Sequence, residues 1–303
     1  MKTEYSIIWV DDDKESVDDD RLDVEEFLAE FGILAKINMI EADGKKDIHD
    51  RLTKPLDNPD LDLLVIDLAM PGMSGGELIR RIRETDNVYI PVVFYSQDGV
   101  EALKRAVVQD DLDGAYFSDR MNLVGKLKLV IKSLLAKEQT VKRARGLLME
   151  GVSEIDVNFA KIFLGVWGKL GGDQKRLVKK VKDVWKERSK SATKFFESFP
   201  DEPDEFFKHM QDFLISPKYD TNTRWRVVKN CLEFAGYSEE QIKILKEFEN
   251  REDGQTALMH LRNNYAHKTR VELEDDHNEE TCRDIRVELR RQSENLKGIV
   301  RNL

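Results

Sequence analysis

The sequence predicts an α/β domain, a doubly wound sheet of five parallel strands, followed by an all-α helical bundle. Two observations predict the sheet. Residues 61–76, LDLLVIDLAMPGMSGG, run from apolar residues into a single acid, Asp67, and then into a Pro-Gly turn. A short apolar run closed by turn residues suits a strand buried on both faces of a parallel sheet. Four further runs of this kind alternate with segments of helical spacing over short connections, the pattern of a parallel α/β sheet. A third observation predicts the bundle: from about residue 137 onward the apolar spacing is helical and no strand pattern returns.

Taken in order, residues 6–10 read as the first strand, ending in the acids Asp11, Asp12 and Asp13. Apolar residues recur at helical spacing from 16 to 31, and Gly32 is a plausible stop. Residues 35–40 give a second strand and 45–52 a weaker helix, closed by Pro55 and Pro59. After the strand ending at Asp67 comes a helix over 75–83. Residues 91–95 form a fourth strand with Ser96 at its end, 99–108 a helix, 114–117 a fifth strand, and 123–136 an amphipathic helix. In the second half, helices are predicted near 140–149, 157–170, 176–199, 205–214, 224–235, 239–250, 255–265 and 279–300. Three segments follow: 1–136, 137–204 and 205–303.

The chain has 303 residues, 40% hydrophobic and 36% charged, enough for two ordinary domains. No apolar run nears the roughly 20 residues that span a bilayer. The N-terminus turns acidic too early for a signal peptide. Two distant cysteines, Cys231 and Cys282, suggest a reducing cytoplasm and no disulfide framework. The net charge of −10 is uneven: residues 1–139 hold 18 Lys and Arg against 30 Asp and Glu, and residues 140–303 hold 31 against 29. Trp9, Trp167, Trp185 and Trp225 sit among apolar repeats and read as core.

In an open parallel sheet, functional groups gather beyond the carboxyl ends of the strands. Three strand ends converge there: acids at 11 and 12, an acid at 67 and a hydroxyl at 96. Clustered carboxylates bind a hard divalent cation such as Mg2+. The cation neutralises a phosphoryl group while a carboxylate attacks phosphorus to form an acyl phosphate. A serine hydroxyl would then hydrogen-bond the new phosphate, and Tyr116 on the fifth strand could report the movement.

The motifs VDDD at 10–13, VIDLAMPGMSGGEL at 65–78, PVVFYS at 91–96 and GAYF at 114–117 resemble the receiver domain of bacterial two-component response regulators, a flavodoxin-like fold, over residues 3–136. The resemblance implies Asp67 as phosphoacceptor and Asp12 as a direct Mg2+ ligand supported by Asp11. It also implies the Ala69 carbonyl facing the metal, Ser96 as switch hydroxyl and Tyr116 as switch aromatic. The expected phosphodonor is a histidine kinase or another phosphoryl source. One departure matters. Where the family carries a lysine three residues after the fifth-strand aromatic, this chain has Asp119, followed by Arg120. A further acid facing three carboxylates and a phosphoryl group is unfavourable by repulsion. Arg120 reaches in as a substitute, phosphorylation is altered, or the receiver has become a binding module.

Residues 169–194 carry ten Lys or Arg against three Asp or Glu. That is a solvated helix face, a patch for a phosphate backbone, or a surface that docks the acidic half. Further on, Asn263 and His267 are four apart and share a helical face. Arg262 lies five before His267 and would bring its long side chain round to it. Arginine recognises phosphate and histidine titrates near neutrality, so together they could bind a phosphodiester and move the proton of an RNA 2′-hydroxyl. RNNYAH at 262–267 fits the R-N-x-x-x-H pattern of HEPN domains, small helical bundles, over about 205–303. That resemblance implies a metal-independent endoribonuclease whose site is shared by two protomers, hence a homodimer and an RNA substrate. Arg262 would stabilise the phosphate, His267 act as general acid and base, and Asn263 orient them. The alternatives are a non-catalytic, phospho-dependent interaction or scaffold module, and a nucleic-acid-binding output.

Overall fold

The computed structural model describes residues 1–44, 47–97, 114–186, 199–214, 220–251 and 256–303, without the side chains of 184–186 and 212–214. The chain divides into two compact units, Met1–Thr140 and Val141–Leu303.

The first unit is a five-stranded parallel sheet in the order β2-β1-β3-β4-β5. Its strands are β1 (Glu4–Asp11), β2 (Leu34–Glu41), β3 (Leu61–Asp67), β4 (Val92–Ser96) and β5 (Ala115–Asp119). Its helices are α1 (Asp18–Glu30), α2 (Ile48–Leu56), α3 (Gly75–Asp86) and α4 (Leu123–Glu138). The helix expected over 99–108 lies outside the described residues. Successive strand side chains point to opposite faces, so the apolar runs fill two cores. Ile8, Val10, Leu64, Ile66, Val92 and Phe94 pack with α2 and α3 residues such as Leu52, Leu78 and Ile82. Ile7, Trp9, Leu63, Val65, Val93 and Tyr95 pack with α1 and α4 residues such as Leu28, Leu127 and Ile131. This double burial is why the strands read as continuous apolar runs without alternation.

Parallel register brings the strand ends level. Asp67 pairs with Tyr95, and Ser96 with Asp119. The order reverses between β1 and β3, so Asp11 and Asp67 end on the two strands that flank the switch point.

The second unit is helical throughout its described residues: α5 (Val141–Trp167), α6 (Gln174–Lys186), α7 (Pro203–Leu214), α8 (Thr221–Phe234), α9 (Glu239–Lys246), α10 (Leu258–His267), α11 (Arg270–Glu274) and α12 (Glu279–Arg301), with a short 3-10 turn at Gly171–Asp173. The two helices expected at 140–149 and 157–170 are one continuous α5. Gly151 lies in the gap between them, and a Cβ there would come 2.6 Å from Leu289 Cδ2. The glycine is a contact point for α12, and Leu148, Val152, Ile155, Phe159 and Ile162 carry the buried stripe past it. α5 packs on α8, α10 and α12, so residues before and after 204 share one core. Trp9, Trp167 and Trp225 are buried, while the side chain of Trp185 lies outside the described set. Among the described residues, no helix is long and apolar enough to cross a membrane.

Candidate functional site

The carboxyl ends of β1 and β3 bring Asp11, Asp12 and Asp67 together, each with an oxygen within 4.8 Å of the others. Asp11 is buried, Asp67 half-buried and Asp12 exposed. Three carboxylates at this spacing suit a hard divalent cation, and they fit Mg2+ better than any softer metal.

Asp67 is poised by its loop. Its Oδ1 accepts a hydrogen bond from the Ala69 backbone N–H at 3.1 Å. The turn closes when Gly75 N donates to Leu68 O at 3.0 Å. A Cβ at Gly75 would lie 2.6 Å from the Asp67 carbonyl oxygen, so only glycine allows this approach. The Asp67 carboxyl is pushed up to about 6, chiefly by burial, with Asp11 and Asp12 adding repulsion. The Ala69 hydrogen bond and the Arg120 charge oppose the rise. A raised carboxyl holds a proton in the folded state that the unfolded chain has already released between about pH 4 and 6. Its stabilising contribution is therefore complete below about pH 4, and is lost as pH rises through 6. With a chelator present, the Tm difference between wild type and Asp67→Asn is expected to move against wild type over that window. Parallel Tm profiles would contradict it.

Arg120 takes part in the site and Asp119 turns away from it. The Arg120 Nη1 lies 3.5 Å from Asp11 Oδ2, and its Nη2 donates to Ser16 O at 2.5 Å and lies 3.4 Å from Asp20. The guanidinium sits 5.3 Å over the Tyr95 ring. Asp119 caps the short helical turn at Arg120–Asn122, accepting from Asn122 N and Nδ2, each at 2.8 Å. Those bonds, the side-chain one foremost, hold its carboxyl below the usual range. The repulsion expected of an acid at this position is avoided by that cap.

Tyr95 is a contributor that sequence reasoning missed. Its hydroxyl donates to Asp11 Oδ2 and accepts from Trp9 Nε1 at 3.0 Å, while Asp11 Oδ1 accepts from Asp13 N at 2.7 Å. Burial, with the Asp11 charge beside it, raises the phenol far above its ordinary value, so it remains a donor. Loss of a buried hydrogen bond to a charged group costs about 1.5–3 kcal/mol. Tyr95→Phe is expected to lower the stability of this unit by that order in urea unfolding, and an unchanged midpoint would count against the bond. Ser96 is buried at the end of β4, and Tyr116 is half-buried against the α1–α4 core.

Residues 16–117 match the family model of the response regulator receiver domain. The match lies within the first unit and covers the strand ends that hold Asp67 and Ser96. Among solved structures, the RcsB response regulator of Salmonella typhimurium aligns at 18% identity over 78% of this chain and 95% of that one, with a TM-score of 0.34. Full-length FixJ from B. japonicum aligns at 15% identity over 78% and 98%, also at 0.34. No curated protein matches the chain.

In the second unit the R-N-x-x-x-H residues lie on α10. Arg262 is half-buried, Asn263 and His267 are exposed, and Arg262 Nη1 donates to Asn263 Oδ1 at 3.0 Å. The buried Arg262 Nε makes no hydrogen bond among the described residues. The end of α10 is clamped from two sides. Arg145 on α5 donates from Nε to Tyr265 O at 2.6 Å and from Nη2 to Lys268 O at 2.9 Å. The Tyr265 hydroxyl and His277 Nδ1 share a hydrogen bond of 2.6 Å. His267 lies between the two clamped carbonyls. Neither Arg145 nor His277 is signalled by local spacing, because they lie 120 and 12 residues from Tyr265.

Proposed function

We propose that this protein is a phosphoryl-responsive ribonuclease, in which the receiver controls RNA cleavage by the helical unit. Asp67 is the phosphoacceptor: its carboxylate oxygen attacks phosphorus of a phosphohistidine or small phosphodonor, the donor's bond to phosphorus breaks, and an acyl phosphate forms. Asp12, Asp67 and the Ala69 carbonyl would hold Mg2+, with Asp11 in support. When bound, the ion supplies positive charge to the phosphoryl oxygens. The observation that carries this half of the reading is the Asp11–Asp12–Asp67 cluster with Arg120 reaching across it. Arg120 supplies a fixed cation for the phosphoryl group in place of the family's lysine, and Ser96 and Tyr116 respond to the product.

In the helical unit, Arg262 binds a phosphodiester and Asn263 orients it. The 2′-oxygen attacks the adjacent phosphorus, the bond to the 5′-oxygen breaks, and His267 carries the 2′-hydroxyl proton to the leaving 5′-oxygen. A second copy of the chain completes the site, and the phosphoryl signal brings the two together. The clamped end of α10 and the Arg262–Asn263 bond support this reading. The test is cleavage of a mixed RNA pool by the full chain, with and without Mg2+ and a small phosphodonor. Cleavage that rises with the phosphodonor supports the whole scheme. Cleavage indifferent to it removes the gate. No cleavage under any condition leaves the receiver acting through protein contacts alone.

A further inference from the structure

An open cavity of about 300 Å3 lies between α6 and α8. Lys180 and Asp183 border it from α6, Arg226, Lys229 and Asn230 from α8, and Glu249 closes one side. α6 buries Leu177, Val178 and Val181 and leaves Lys175, Arg176, Lys179 and Lys180 exposed, of which Lys180 borders the cavity. The volume is at the lower end for small-ligand sites and fits one nucleotide-sized group.

Two acids border the cavity: Asp183, which is exposed, and Glu249, which is already compensated. Glu249 accepts from Asn222 Nδ2 at 2.8 Å and lies 3.6 Å from Arg226 Nη2. Lys229 sits 5.5 Å over the ring of Trp225, also at the cavity. Trp225 is only 5% exposed and its indole N–H donates to Leu245 O, so it is a wall and cannot serve as a stacking platform. The Asn230 amide is engaged, donating to Arg226 O at 2.8 Å. Besides the Arg226–Glu249 pair, the charged groups bordering the space are the Lys180 and Lys229 ammoniums against the single carboxylate of Asp183. Point charges of this kind recognise phosphate without reading a base.

The first turn of the same helix is tied to α5. At the start of α8, Thr221 Oγ1 and Arg224 Nη1 hold Asp156 Oδ2 at 2.9 and 2.7 Å. Arg262 is near enough for its charge to act on that carboxyl, opposing the upward push of burial.

We propose that this cavity is a phosphate subsite for single-stranded RNA, holding a nucleotide of the strand whose cleavage is assigned to α10. The proposal rests on the ribonuclease reading for its choice of RNA. The experiment measures binding of a fluorescent 12-nucleotide single-stranded RNA to the full chain by anisotropy, in a His267→Ala background to prevent cutting. Lys180→Glu with Lys229→Glu is expected to weaken binding at least tenfold. The slope of log K against log salt should fall by about 1.4, from two phosphate contacts at roughly 0.7 each. Lys175→Glu, at an exposed position of α6, serves as control and should bind within twofold of its parent. Circular dichroism checks that each variant is folded. Unchanged affinity in the folded double variant would overturn the proposal. So would equal competition by duplex DNA, which would mark a general polyanion surface, or by polyglutamate, which would mark an acidic protein partner. RNA bound through Lys180 and Lys229 but left uncut by wild type would keep the subsite and remove the ribonuclease reading.

Discussion

Replacing Asp67 by Asn is expected to reduce phosphoryl incorporation from a small phosphodonor to background. An amide oxygen is a far weaker nucleophile than a carboxylate, and no other described carboxylate occupies the end of β3. Asp11 cannot stand in: Asp13 N, the Tyr95 hydroxyl and Arg120 all converge on its carboxylate, and it is only 3% exposed. Incorporation would be followed with a radiolabelled donor and by the alkaline lability of an acyl phosphate. Persistent label in Asp67→Asn would move the phosphoacceptor elsewhere. Arg120→Ala should still accept phosphate but more slowly, by about 10²–10³ if it acts as one pre-placed cation on the transferring group. A variant at wild-type rate would leave Arg120 a structural role only.

His267→Ala is expected to lower RNA cleavage by about 10²–10⁴, the usual contribution of a positioned proton-transfer group. His267 is exposed at the end of α10, so truncation should leave the fold intact. Binding of RNA should survive, because Arg262 is untouched. A pH profile separates this role from a structural one: the pH dependence of cleavage should change shape between wild type and the variant, where a structural role would lower it uniformly. Cleavage unaffected by His267→Ala would falsify the enzymatic half of the proposal. Asp67→Asn and His267→Ala act on different units and can be combined. Under the gating scheme, the double variant is no worse than His267→Ala.

Much of the first unit was legible because its determinants are local. Residues 63–66 and 92–95 are apolar without interruption, which only two-sided burial explains, and the Pro71-Gly72 turn fixes where β3 stops. The acids at 11, 12 and 67 converge because parallel strands end at one edge of the sheet. Other features depended on partners far away in sequence. The bonds from Tyr95 to Trp9 and Asp11 span 86 and 84 residues, and nothing near position 95 announces them. The direction of Asp119 could have been found. Asp-x-x-Asn at 119–122 is a cap signal, and a carboxylate spent on a cap is not free to face a phosphoryl group. The continuity of α5 rests in part on Gly151, whose contact Leu289 lies 138 positions downstream. In the helical unit, spacing puts Asn263 and His267 on one face, but the clamp from Arg145 and His277 belongs to the tertiary fold.

Arg120 also alters the chemical fate of the site. A lysine held against a mixed anhydride is an amine beside an activated acyl and phosphoryl group, open to acylation and to loss of its charge. The planar, delocalised guanidinium of Arg120 is a poor nucleophile. Anchored by Ser16 and Asp20 and lying over Tyr95, it gives this site a positive charge that lysine-modifying enzymes cannot erase. A cell that silences lysine-bearing receivers by acetylation would have no such handle here.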